Sequence, residues 1–212
     1  MLTLAGPFAV MVATLTLAIL SPGPAIIAAM QTAFARGREV ALPYGIGLAV
    51  GASLWCLFAL AGLTVLFQLV PALYIALKIF GGLYLLWMAW GLWRSAPHPM
   101  PEAAKARFGT GFWGGIALNL SNPKPALFYS SLIVALFPGP LSLAGQAAIY
   151  ATALGTELFW YVVVTTAMST APLRRRYAAA KLWLDRGAAV LLGLLGLGLI
   201  AETAREALTE TV

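Results

Sequence analysis

The sequence predicts an all-α integral membrane protein: six transmembrane helices in two inverted three-helix repeats, with spans one and four broken at proline pairs. Three observations predict it. The 212-residue chain is 61% apolar and only 9% charged, against about 45–50% and about 25% in ordinary soluble domains. Several stretches of about 20 residues carry no charge, which is the length a helix needs to cross a bilayer core. Finally, Ser21-Pro22-Gly23-Pro24-Ala25 returns as Asn122-Pro123-Lys124-Pro125-Ala126, each in the middle of an apolar stretch. Strand-like alternation is absent, which excludes a transmembrane β-barrel.

Apolar stretches fall at 7–34, 42–67, 72–93, 111–137, 143–171 and 183–203. The first lacks a basic leader, is about twice as long as a signal-peptide core and is broken by two prolines, Pro22 and Pro24. It therefore reads as a retained span, despite Ala33-Phe34-Ala35. Arg36 and Arg38 follow the first stretch; Arg94, Lys105 and Arg107 follow the third. Arg174, Arg175, Arg176, Lys181 and Arg186 surround a gap before the sixth. The other side receives uncharged connections at 68–71 and 138–142 and a tail in which Arg205 faces Glu202, Glu206 and Glu210. Lysine and arginine in short loops mark the cytoplasmic side, so with six spans both termini are expected outside the cytoplasm. This topology signal accounts for the net charge of +6 without a nucleic-acid partner; the partner implied is the lipid bilayer.

The proline motifs divide the chain into a first three-helix repeat (1–94), a cytoplasmic linker rich in proline and charge (95–110) and a second repeat (111–212). Three is odd, so the second half enters the membrane inverted, a common transporter architecture.

Each proline removes a backbone N–H and clashes with the carbonyl four residues earlier. In hydrocarbon the freed polar groups cost several kcal/mol each, so irregular backbone persists only around an enclosed or wet cavity. Pro22, Gly23 and Pro24 in one span and Pro123, Lys124 and Pro125 in the other are therefore candidate substrate-binding residues; simple packing kinks are the alternative. A helix restarting after each break offers N–H groups to an anion, and Gly23 permits close approach. Lys124 near mid-span costs about 2.5–3.5 kcal/mol on insertion scales, so it needs a counter-charge or a wet cavity. Glu157 reads as the only acidic residue well inside a span. It could pair with Lys124, bind a substrate ammonium or carry a coupling proton, as intramembrane carboxylates do. Asn119, Ser121 and Asn122 add hydrogen-bonding groups beside the second break.

Other features point away from catalysis. A single cysteine, Cys56, allows neither a disulfide nor a redox pair. The single histidine, His98, lies among prolines, so no metal site is expected. Without paired carboxylates or haem-ligating histidines, neither an enzyme nor a cofactor is expected. Lys78 is expected to snorkel to the interface. The GxxxG patterns at Gly47/Gly51 and Gly111/Gly115, and the run Gly193, Gly196, Gly198, allow close helix contact, within the chain or in a homo-oligomer. Trp90, Trp93, Tyr150 and Trp183 fit an interfacial belt.

The whole pattern resembles the LysE/RhtB family of amino-acid exporters, and the likeness covers nearly the full chain. It is carried by Pro22-Gly23-Pro24 with Arg36-Gly37, by the segment from Leu77 to Leu86 leading to Trp90-Gly91 and Arg94, by Phe108, Gly111-Phe112, Asn122-Pro123-Lys124 and Phe137-Pro138, and by Arg186-Gly187. Ala25 departs from it, because members often carry Asn after the PGP motif. The resemblance implies secondary export of a small amino acid or related metabolite across the bacterial inner membrane, driven by the proton or another ion gradient. A metal-cation exporter is the alternative; it would need clustered carboxylates or histidines in the spans, where Glu157 stands alone.

Overall fold

The computed structural model describes residues 2–21, 23–69, 71–99 and 109–209. Among them the helices are α1 (Leu2–Leu20), α2 (Pro24–Arg36), α3 (Arg38–Leu69), α4 (Pro71–Ser95), α5 (Phe112–Leu120), α6 (Pro123–Leu136), α7 (Leu143–Ala167) and α8 (Ala171–Thr209). Their ends follow from local chemistry. Gly37 closes α2 at φ 78°, a conformation glycine adopts without penalty. The Asn122 side chain caps α6 by accepting the Lys124 N–H at 3.0 Å, and Ser142 caps α7 through the Gly145 N–H at 3.1 Å.

Six spans in two inverted three-helix repeats is not what the structure shows. Among the described residues four helices are long and apolar enough to cross a membrane, or five if α1 and α2, bent by 58°, form one broken span. The difference lies in the expected fourth span. Capping at Asn122 makes α6 a separate helix, and the pieces have 9 and 14 residues, each short of the roughly 20 a crossing requires. Without that span the second half has no third helix with which to mirror the first. The chain is an all-α, multi-pass membrane fold with four to five apolar spans.

Two smaller expectations also change. The gap expected before the last stretch is helical, since α8 runs unbroken through Arg174 to Arg186. Lys78 does not reach an interface alone: it is 1% exposed and donates to both Glu206 carboxylate oxygens at 2.7 and 2.8 Å. Residues 100–108, most of the expected linker, lie outside the described residues.

Glycines set the closest helix contacts, as apolar solvent offers little force to pair helices other than packing. A Cβ on Gly47 would strike the Phe112 carbonyl, and one on Gly115 the Tyr44 carbonyl. The GxxxG stretches of α3 and α5 therefore serve each other. Gly82 and Gly196 bring α4 and α8 together in the same way. The bundle has two chemically different ends. At one, Arg36 donates to Thr110 at 2.9 Å and Arg186 stacks on Trp93 with 5.2 Å to the ring centroid. At the other, Lys78 of α4 meets Glu202 and Glu206 of α8.

Candidate functional site

Proline dictates where the site forms. Pro24 opens α2 and Pro123 opens α6, each in the first turn, where a missing N–H costs nothing. Both helices therefore begin inside the bundle, and a cavity lies where the two breaks meet α7. Gly23, Pro24, Asn119, Asn122, Lys124, Pro125 and Glu157 all line it. Pro22 lies outside the described residues. Ser121 is exposed as the C-cap of α5, and Pro123 borders a second, outer groove beside Tyr84 and Trp87. The structure thus brings together seven of the ten expected residues.

Lys124 is half-buried, and its ammonium comes within 3.3 Å of where a Cβ on Gly23 would sit. Gly23 is thus the residue that admits the lysine to the first break. Among the described residues Lys124 forms no ion pair, and the structural Lys124–Glu157 pair is not made; ion pairs form elsewhere, between Lys78 and Glu202 and Glu206 and between Lys181 and Asp185. Glu157 is buried at 5% exposure and accepts the Tyr129 hydroxyl at 2.8 Å. A carboxylate has about four lone-pair sites, so it keeps accepting capacity towards the cavity. Asn119 is turned to scaffold use, donating to the Leu48 carbonyl at 2.6 Å while its own carbonyl accepts Trp55 Nε1 at 3.2 Å.

The two helix starts differ as anion sites. In α6, Pro123 and Pro125 have no N–H, and the Lys124 N–H is taken by Asn122. Its attraction for an anion rests on the Lys124 ammonium. In α2 the first-turn N–H groups of Ala25 and Ile26, both at the cavity wall, are the ordinary orphan donors of a helix start. The cavity thus carries a cation and first-turn donors as well as a carboxylate. Much of the remaining wall is apolar, with Leu15, Ile19, Met88 and Phe128.

The sequence reading missed Tyr129 and Tyr161, both cavity-lining and buried, and Asp185, 1% exposed within α8. Tyr129 had a signal, since it follows Pro125 by four residues and so shares its helix face. Asp185 had one too, four residues after Lys181, the spacing of a helical ion pair.

The LysE type translocator family profile matches residues 16–203 of this chain. The chain is 32% identical over 192 residues to the threonine efflux protein of Escherichia coli strain K12, a match covering 86% of this chain and 92% of that protein. It is also 32% identical over 190 residues to the threonine efflux protein of Salmonella typhi, with the same coverage. Against the leucine efflux protein of Enterobacter sp. strain 638 it is 28% identical over 191 residues, 88% of this chain and 89% of that one. No solved structure matches it.

Proposed function

The chain belongs to the LysE type translocator family, and from that premise we propose that it exports a small amino acid carried as its zwitterion. It is a membrane-embedded secondary transporter of the bacterial inner membrane, and not an enzyme. The observation that carries the substrate proposal is the pair of opposite charges in one cavity, Lys124 and Glu157, unpaired with each other. Lys124 and the N–H groups of Ala25 and Ile26 hold the carboxylate. Glu157, steadied by Tyr129, takes the ammonium or carries the coupling proton. A small side chain rests on the apolar walls, in keeping with the threonine and leucine named for the relatives.

The basic end faces the cytoplasm, by the bias of Lys and Arg towards that side. On this reading the C-terminal end of α8 lies on the far side, because α8 runs from its arginines at one end of the bundle to Glu206 at the other. Self-association is not assigned to Gly47, Gly51 and Gly115, which are used between α3 and α5.

The test is export from cells loaded with amino acids from a panel of dipeptides. Lys124→Ala and Glu157→Gln, at matched membrane expression, are each expected to cut export at least about tenfold, the effect of losing one charged partner. Unchanged export in both variants refutes the site. Collapsing the pH gradient is expected to stop net export, and persistence of export would refute proton coupling.

A further inference from the structure

The break between α1 and α2 is held from outside by α8. In an unbroken helix the Leu20 carbonyl would accept the N–H of residue 24, but Pro24 has none. The Tyr177 hydroxyl takes that place, donating to the Leu20 carbonyl at 2.6 Å. One residue on, the Ser21 hydroxyl donates to Asp185 Oδ1 at 2.6 Å. Lys181 stands between Tyr177 and Asp185 on the same face of α8. It donates to Asp185 Oδ2 at 2.7 Å and to the carbonyls of Ser95 and Ala96 at 3.0 and 3.3 Å. The last turn of α4 is thereby drawn into the same cluster.

The two kinds of link in this cluster differ in what their opening requires. Lys181 and Asp185 are buried, and separating a buried ion pair strands two charges. That pair, with the end of α4, is a fixed anchor. The links that cross from the anchor to α1 are hydroxyl hydrogen bonds, which can open without separating any charges. Ser21 lines the cavity, whereas Ser95 and Ala96 lie at the basic end of the bundle, close to Arg94. The cluster therefore stands between the cavity and that end.

We propose that Tyr177 and Asp185 are positioning residues that form a latch closing the basic end of the cavity. Opening releases Leu20 and Ser21 while the Asp185–Lys181 pair stays intact. Neither residue touches substrate; both act through the α1 break.

Cys56 is the only cysteine in the chain, so a Cys56→Ala background with Ala18→Cys places one reporter thiol at the cavity wall. A membrane-impermeant maleimide is then supplied to one face of membrane vesicles and next to the other. Labelling of this parent from the basic-loop face is expected to be slow. Ser21→Ala and Tyr177→Phe each remove one oxygen and leave the charge pair in place. Each is expected to raise labelling from that face roughly two- to tenfold, the population shift worth one net hydrogen bond. Ser21→Thr, which keeps the hydroxyl, is expected to label as slowly as the parent. Unchanged labelling in both hydroxyl-deletion variants, a rise from the opposite face alone, or fast labelling of Ser21→Thr would overturn the latch. The readout needs no transported substrate, so its failure is distinct from failure of the export proposal.

Discussion

Gly23 and Lys124 show how much one missing side chain decides. An ammonium can stand at the α1–α2 break because residue 23 carries no Cβ, which would sit 3.3 Å from it. That separation is tight but not impossible, and the obstacle is the far end of a flexible chain. Gly23→Ala is therefore expected to fold normally while displacing the charge. In dose–response measurements of export the half-saturating concentration should rise about two- to tenfold, the worth of one weakened polar contact, with expression unchanged. Tyr129 acts one step further from the substrate. Tyr129→Phe leaves the ring's packing but removes the hydrogen bond to Glu157. If Glu157 carries the coupling proton, the pH dependence of export should shift in this variant, whereas a purely structural tyrosine would leave the profile in place.

At the scale of elements, the breaks matter less than what the broken pieces lean on. α5 and α6 are too short to stand in a bilayer by their own hydrophobicity, and glycine-mediated contact with α3 holds α5 in place. Gly47→Leu would drive its side chain into the Phe112 backbone, which cannot rotate away as a side chain can. We expect a loss at or above the roughly 1–3 kcal/mol typical of overpacking, read as a lower melting temperature of the detergent-solubilised protein. Gly62→Leu is the control: a Cβ there meets nothing within 4 Å, so stability should stay within about 0.5 kcal/mol.

At the scale of the molecule, α4 and α8 pack along each other through Gly82 and Gly196 and are clasped by charge at both ends. Lys181 reaches the last turn of α4, and Lys78 reaches Glu206 near the end of α8. That clasp makes α8 the fixed reference against which the first break is held. It also bears on topology, since one helix carries the arginines at its start and the glutamates at its end. A periplasm-active phosphatase fused behind α8 is expected to be active, and a cytoplasm-only reporter at the same place silent. The reverse pattern would invert the orientation assigned from the basic residues.

The sequence alone was enough for membrane residence and an all-helical fold, and its proline motifs pointed to the cavity at which the site is proposed. Each of these follows from composition or from proline chemistry, which act locally whatever the rest of the chain does. Proline cannot donate an N–H, so helix starts at Pro24 and Pro123 were legible before any contact was known. The number of spans was not legible. Hydropathy reads 111–137 as one apolar stretch, whereas the Asn122 cap and the support from α3 divide it into two short helices, and only packed neighbours make such pieces stable. Lys78 was misread for the same reason: its partners, Glu202 and Glu206, lie more than a hundred residues away, and only the meeting of α4 with α8 supplies them. The partners of Lys124 and Glu157 likewise had to come from the tertiary structure. It set the two charges in one cavity without pairing them and gave the buried carboxylate to Tyr129, because long-range contacts are decided by how helices pack and not by what stands beside them in the chain.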